Sequence, residues 1–342
     1  MRAAVFAREG VVEIRDVPEP SIVRDDDVIV RVAACGICGS DLRALAVPPQ
    51  MRFVAGVVMG HELVGEVVDA GPAAAELLGR RVVVLPNIHC GRCAYCKAGQ
   101  VDRCDHFEHL GATRDGAFAE HMVVPAAFVH LVPDGLSDDV AALAEPLACV
   151  LNGTTRAGLR PGISTVVLGA GPIGLLFVVV AKAAGAHPII VSEPSEERAR
   201  RALETGADVV VDPTRERIAD VARAHTGGLG VEVVIDALGS LLDDALESLR
   251  KGGKAIVFGL DDRSRNEIAP SQIASRELSI EGVYITKGTF PLALRLLAER
   301  TEEFARLITD RVSLDEVSSG VAAMREGRTV KVLVYPTDRP GS

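Results

Sequence analysis

Cys90, Cys93, Cys96 and Cys104 fall within fifteen residues, spaced C-x2-C-x2-C-x7-C. Four thiolates close a tetrahedral zinc shell, and such short spacings let one loop supply them all. With no open position, an ion held this way folds the loop and does no chemistry. His89 and His106 flank the run. Four sulfurs suffice without them, so both read as surface histidines, and the leftover Cys35 and Cys149 read as small buried hydrophobes.

A second signal is Val166-Val-Leu-Gly169-Ala-Gly171-Pro172-Ile173-Gly174, a G-x-G-x-x-G that follows a predicted strand and opens a predicted helix. Glu193 lies nineteen residues after Gly174, at the end of the next strand. In that context the motif reads as a dinucleotide site. Gly169 makes the tight turn, Gly171 lets the backbone approach the pyrophosphate, and Gly174 lets helix and strand pack closely. The phosphates meet the helix N-terminus. Glu193 would hydrogen-bond the adenosine ribose and repel a 2′-phosphate, which favours NAD(H) over NADP(H). Arg198 is the countersignal, since a nearby arginine accommodates that phosphate.

Cys38-Gly-Ser40-Asp41 and Gly60-His61-Glu62 form a third set. A thiolate and an imidazole suit zinc. Taken alone, a buried Cys and a single His are as readily core residues as ligands.

The elements that carry these residues show two textures. Up to about residue 147 the chain has short β-rich runs, such as Val28–Ala34, Glu62–Asp69 and Arg81–Leu85, broken by Gly, Pro and Asp. Such runs predict a β-rich, barrel-like domain. From about residue 160, strands at Thr165–Leu168, Pro188–Ser192, Asp208–Val211, Val231–Ile235, Lys254–Phe258 and Leu278–Val283 alternate with helical runs such as Pro172–Ala184 and Ser195–Thr205. That alternation predicts βαβ units and a parallel sheet. The tail breaks the pattern: helical stretches at Phe290–Glu299, Glu302–Ile308 and Leu314–Arg325, then a strand at Thr329–Val334 that returns to the first domain. Pro336–Ser342 reads as a solvated end.

The chain has 342 residues, 48% apolar and 25% charged, which fits two globular domains. Its 37 Lys plus Arg against 47 Asp plus Glu give a net charge of −10. No nucleic acid and no membrane surface is expected as a partner. The N-terminal ten residues carry Arg2, Arg8 and Glu9 and do not form a signal peptide. The most apolar stretch, Val166–Ala186, contains four glycines, a proline and Lys182, and suits a buried strand and helix better than a membrane span. The cytoplasm is the default compartment, and clustered, odd-numbered cysteines suit it.

Taken in order, C-G-S-D at Cys38, G-H-E at Gly60, the four-cysteine loop and the G-x-G-x-x-G resemble the zinc-dependent medium-chain dehydrogenase/reductase family over essentially the whole chain. Glu145-Pro146-Leu147 is similar to the E-P-L element of the sorbitol, threonine, butanediol and glucose dehydrogenase branch. The resemblance implies an α/β architecture: a GroES-like catalytic domain, residues 1–148 and 289–342, with a doubly wound Rossmann domain inserted at 149–288. It places the active site in an interdomain cleft and implies two zincs per chain, a small alcohol or ketone substrate, and a homotetramer or homodimer.

It implies that Cys38 and His61 ligate the catalytic zinc, with Glu62 and Glu145 as glutamates that bind it directly, through water or in exchange with water. Asp41 would hold the His61 ring through its other nitrogen, and Ser40 would pass the substrate proton onward. Zinc with an open position lowers the pKa of water from about 15.7 to about 7, and would prepare an alcohol for hydride loss in the same sense. Leu238, Gly259, Leu260, Val283 and Ile285 take the places of the family's cofactor loops.

Two departures stand out. Arg43 occupies the position of a proton-relaying His in many relatives, and arginine cannot shuttle a proton. Its open roles are contact with a cofactor phosphate, contact with an anionic substrate group, or plain solvation. Ile285 and Thr286 replace an Arg-Tyr pair of sorbitol-type enzymes, which weakens a plain polyol assignment. The expected activity is NAD(H)-dependent interconversion of a secondary alcohol, polyol, sugar or amino alcohol and its ketone. The alternatives are an NADPH-dependent biosynthetic carbonyl reductase and a non-catalytic zinc- and NAD-binding scaffold.

Overall fold

The computed structural model describes residues 1–337. The solvated end expected from residue 336 therefore lies, from residue 338 on, outside the described residues. The chain divides into two compact units: Met1–Ala148 together with the stretch that begins at Lys287, and Cys149–Thr286.

The first unit is built on the strand Asp27–Gly36, whose sequence DVIVRVAACG is buried along almost its whole length. A strand covered on both faces must be central, and this one pairs antiparallel with Glu62–Ala70, with His121–Pro125 and with Lys331–Tyr335. Beyond these lie Arg81–Val84, then Val129–Leu131, and on the other side Ile308–Ser313. Val30, Val32, Leu63, Val82, Phe118 and Val332 fill the core beneath.

The tail corrects one expectation. Glu302–Ile308 was expected to be helical, but helix ends at Ala305 and Ile308–Ser313 is a strand parallel to Lys331–Tyr335. Its sequence ITDRVS is polar because it is an edge strand with one partner, so it lacks the apolar run of a central strand.

The second unit holds a six-stranded parallel sheet. Its spatial order is Val209–Val211, Ile189–Ser192, Thr165–Leu168, Val231–Asp236, Leu249–Val257 and Ser279–Gly282. In chain order that is third, second, first, fourth, fifth and sixth, with the order reversing beside Thr165–Leu168. In such sheets ligands bind beyond the carboxyl ends of the strands at the reversal. Helix Pro172–Ala183 follows the first strand and is buried from Gly174 to Ala181. Its three consecutive valines are poor helix formers, and burial on all sides decides the outcome over propensity. No helix among the described residues is both long and apolar enough to cross a membrane.

Candidate metal centres and cofactor site

Strand Asp27–Gly36 runs out through Ile37 into Cys38, which is the N-cap of the short helix Gly39–Ala44. The Cys38 backbone N–H donates to Asp41 Oδ2 at 2.9 Å, closing a capping box that fixes the entry to the helix. Glu62 opens the neighbouring strand and stands in register with Gly36. One strand end and one strand start thus bring a thiol, an imidazole and a carboxylate together. Ligand atoms of Cys38, His61 and Glu62 all lie within 4.8 Å of one another, and His61 and Glu62 are buried.

Ser40 Oγ sits 3.5 Å from His61 Nε2, at the edge of hydrogen-bond reach. The expected bond from Asp41 to the His61 ring is not made. Asp41 serves Cys38 instead, while Asp41 Oδ1 and His61 Nδ1 are both buried without a hydrogen-bond partner. Burial pushes the Asp41 carboxyl up to about 6, against the pull of His61. The Cys38 thiol is raised well above its ordinary value, first by burial and then by the charges of Glu62 and Asp41. An anion-rich, desolvated pocket of soft and borderline donors fits a divalent cation of the zinc type. Glu145, on the first turn of helix Ala144–Ala157, lies outside this cluster of atoms. Its charge still bears on Cys38 and on Lys331.

Sequence reasoning missed two residues here. Lys331 is only 2% exposed, pairs with the Glu62 carboxylate and donates from Nζ to Ile37 O at 2.9 Å. Gly36 makes room for that pair: a Cβ there would sit 2.3 Å from Glu62 Oε2 and 2.7 Å from Lys331 Cε. The second is His109, whose ring packs edge-on against His61 with centroids 4.8 Å apart. Burial, more than the neighbouring His61, takes its pKa down to about 3, so this imidazole is neutral. A lone charge in an otherwise apolar strand, T-V-K-V-L-V, was a usable signal for Lys331. Nothing in E-H-L marked His109.

The four-cysteine loop gathers its sulfurs equally well. All four lie within 4.8 Å of one another, Cys93 and Cys104 Sγ are 4.0 Å apart, and none is in a disulfide. A tetrahedron with Zn–S of about 2.3 Å has edges of about 3.8 Å, so the loop fits a zinc shell. Backbone N–H groups of Cys90, Cys93, Cys96 and His106 point at the sulfurs. The N–H groups of Arg92 and Cys93 draw the Cys90 thiol down to about 6. His106 is exposed as expected, but His89 is not a surface residue: its ring packs on Phe128 and its Nδ1 is buried. Cys35 is fully buried as expected, whereas Cys149 is only half-buried.

In the second unit, Gly171 caps helix Pro172–Ala183, and a Cβ on it would meet nothing within 4 Å. That open space at a helix N-terminus fits a phosphate. Gly174 is the opposite case, since its Cβ would fall 1.8 Å from Gly169 O. Pro172 and Ile173 form the first turn of the helix. Glu193 accepts hydrogen bonds from Ala170 N–H at 2.8 Å and Ser195 N–H at 2.9 Å, so it also braces the glycine turn. Arg198 lies in the first turn of helix Glu196–Thr205. Leu238 and Leu260 are exposed beyond their strand ends, where Gly239 and Gly259 pack backbone to backbone. Val283 is buried, and Ile285 takes a left-handed φ of +47°, unusual for a β-branched residue. Asn152 Nδ2 holds that turn by donating to Tyr284 O at 3.3 Å and Ile285 O at 2.8 Å. Arg43 is half-buried, not freely solvated.

Comparison with known proteins decides the family. Residues 24–134 match the alcohol dehydrogenase GroES-like domain, and residues 172–299 match the zinc-binding dehydrogenase domain. A sorbitol dehydrogenase of Bacillus subtilis is 33% identical over 98% of this chain and 97% of its own length. The chain belongs to the zinc-dependent medium-chain alcohol dehydrogenases. An L-threonine 3-dehydrogenase of Thermococcus kodakarensis is 34% identical, covering 94% of this dehydrogenase and 93% of the relative. A structure from Sinorhizobium meliloti 1021 bound to NADP is 35% identical, with a TM-score of 0.90 over 98% of this chain and 99% of that one. The fold of this dehydrogenase is therefore a GroES-like domain with a Rossmann-type domain.

Proposed function

We propose that this dehydrogenase interconverts a secondary alcohol of the polyol, sugar or amino-alcohol class and its ketone, with NAD(H) as the hydride carrier. The observation that carries the reading is the meeting of Cys38, His61 and Glu62 donor atoms within 4.8 Å, with Ser40 at the edge of the group. Cys38 and His61 hold the catalytic zinc, with Glu62 or Glu145 as the carboxylate. The four-cysteine loop holds a second, structural zinc.

Zinc supplies Lewis acidity toward an alcohol or carbonyl oxygen. The protein does the rest. Asp41 pins the backbone of Cys38, Lys331 steadies Glu62, and Ser40 takes the hydroxyl proton and passes it to water, since Arg43 cannot relay it. Gly169, Gly171, Pro172, Ile173 and Gly174 receive the cofactor phosphates. Glu193, Arg198, Leu238, Gly259, Leu260, Val283 and Ile285 line the remainder of its path. The reading also carries a homodimer or homotetramer in the cytoplasm, by likeness to the family; light scattering that shows a monomer would contradict the former.

NADP(H) is the second reading, supported by the NADP-bound relative and by Arg198 at the head of its helix. The buried, doubly hydrogen-bonded Glu193 favours NAD(H). The test is cofactor reduction by the zinc-loaded protein across polyols, sugars, hydroxy-amino acids and aliphatic secondary alcohols, phosphorylated members included, with each cofactor. Reduction of NAD by a secondary alcohol is expected. Silence across the panel with both zincs and cofactor bound would mean a specialised biosynthetic substrate, and silence with only the cysteine-loop zinc present would favour the scaffold.

A further inference from the structure

The wall of the catalytic cluster contains an imidazole that the reaction outlined above does not use. His109 ends the two-residue strand Glu108–His109, which pairs with Asn87–Ile88 and so presents the ring against His61. The rings meet at 79°, with centroids 4.8 Å apart. His109 Nδ1 lies 2.7 Å from Leu110 O. A carbonyl oxygen only accepts, so Nδ1 carries the proton, and in the neutral ring Nε2 carries a lone pair. Nε2 has no hydrogen-bond partner among the described residues, and His109 is not part of the Cys38–His61–Glu62 ligand group. His109 is only half-buried and Nε2 is not one of the buried unpartnered atoms, so this acceptor, its tautomer fixed, is open to a donor from outside the protein.

We infer that His109 is a specificity residue, whose Nε2 accepts a hydrogen bond from a second donor group of the substrate, a hydroxyl or an ammonium close to the carbon being oxidised. The inference rests on the dehydrogenase reading and narrows it. A simple secondary alcohol leaves Nε2 unpaired, whereas a diol, polyol or amino alcohol satisfies it. An acceptor at this place also turns away a phosphate on the neighbouring carbon, because both partners would offer only lone pairs. Phosphate, if present in the substrate, belongs at a more distant carbon.

The test uses the zinc-loaded enzyme with three matched substrates: 2,3-butanediol, 3-amino-2-butanol and 2-butanol. His109→Phe keeps a ring against His61 and removes the acceptor. The wild type should favour one or both bifunctional substrates over 2-butanol in kcat/KM by about tenfold or more, the scale of one satisfied hydrogen bond. His109→Phe should collapse that ratio, and His109→Asn should restore part of it. The diol and amino-alcohol arms separate hydroxyl from ammonium. A ratio unchanged in His109→Phe overturns the proposal.

A second readout does not depend on turnover. In 15N-histidine-labelled protein, assigned with His109→Phe, the His109 Nε2 resonance should show the Nδ1–H tautomer and should move on addition of the bifunctional ligand but not of 2-butanol. A shift without any oxidation would sink the dehydrogenase reading and leave the His109 contact standing. An Nε2–H tautomer, or an Nε2 signal indifferent to all three ligands, would overturn the contact itself.

Discussion

Lys331 and Glu62 form an ion pair that is almost wholly out of water, at 2% and 1% exposure, at the mouth of the strand that delivers Cys38. Three strands make it. Gly36 stands in register with Glu62 on one side and with Leu333 on the other, so the lysine of the last strand and the glutamate of the motif face each other across a residue without a side chain. The pair places a fixed positive charge beside a cluster that holds Cys38, Asp41 and Glu62.

Removing that charge separates the metal-free and metal-loaded proteins. Truncating one partner of a buried pair costs about 3–5 kcal/mol, because the other charge is stranded. In Lys331→Met the stranded carboxylate is Glu62, and a cation in the cluster relieves it. Calorimetry should therefore show a lower Tm for the metal-free variant and a larger rise in Tm on zinc loading than in the wild type. An equal or smaller rise would mean that Lys331 does not steady Glu62 against the metal site.

Zinc binding at Cys38 should be proton-linked. Burial, with Glu62 and Asp41, holds the Cys38 thiol up, Glu145 adds to this and Lys331 opposes it. The thiol is thus protonated in the metal-free protein at neutral pH, while ligation needs the thiolate. Affinity must rise with pH, by about tenfold per unit for one proton released. Competition with a chelator at several pH values between 6.5 and 8.5 checks this, and a flat profile would contradict it.

The cofactor site predicts a change in preference. Glu193→Gln keeps the shape and removes the charge proposed to oppose a 2′-phosphate. The ratio of kcat/KM for NADP to that for NAD should rise at least tenfold. An unchanged ratio would mean that Glu193 serves only to brace Ala170 and Ser195.

Asn152 restrains a turn that is uncomfortable by itself. A β-branched residue at positive φ costs of order 1–3 kcal/mol, and the Asn152 amide donates to the carbonyls of both Tyr284 and Ile285. Asn152→Ala should release the turn and weaken NADH binding, read by fluorescence titration, about tenfold. Ile285→Gly in the same background should restore part of it. Binding unaffected by Asn152→Ala would remove the 283–286 turn from the cofactor path.

Much of this is legible in the sequence alone. The glycine motif and the four-cysteine loop are local: their meaning lies in spacings of a few residues, and the backbone realises those spacings directly. Cys38, His61 and Glu62 were legible through the company they keep in the sequence. Lys331 was not, because its partner is 269 residues away and only strand order brings them together. His109 was missed for a related reason: its neighbour His61 is brought to it by a two-residue strand, too short to leave a pattern. Asp41 was read as the anchor of the His61 ring, but the nearer Cys38 N–H takes its carboxylate. The strand Ile308–Ser313 was hidden by the polarity that an edge allows.

In the proposed function, Cys38, His61 and Glu62 hold a second, catalytic zinc apart from the four-cysteine site. The most direct test is elemental analysis of zinc per chain in the wild type and in Cys38→Ser, paired with alcohol-dependent NADH formation on the same samples. About two zincs should fall to about one, with the fold kept and NADH formation abolished. A wild type that carries only the cysteine-loop zinc, or a Cys38→Ser protein that keeps both metal and activity, would contradict it.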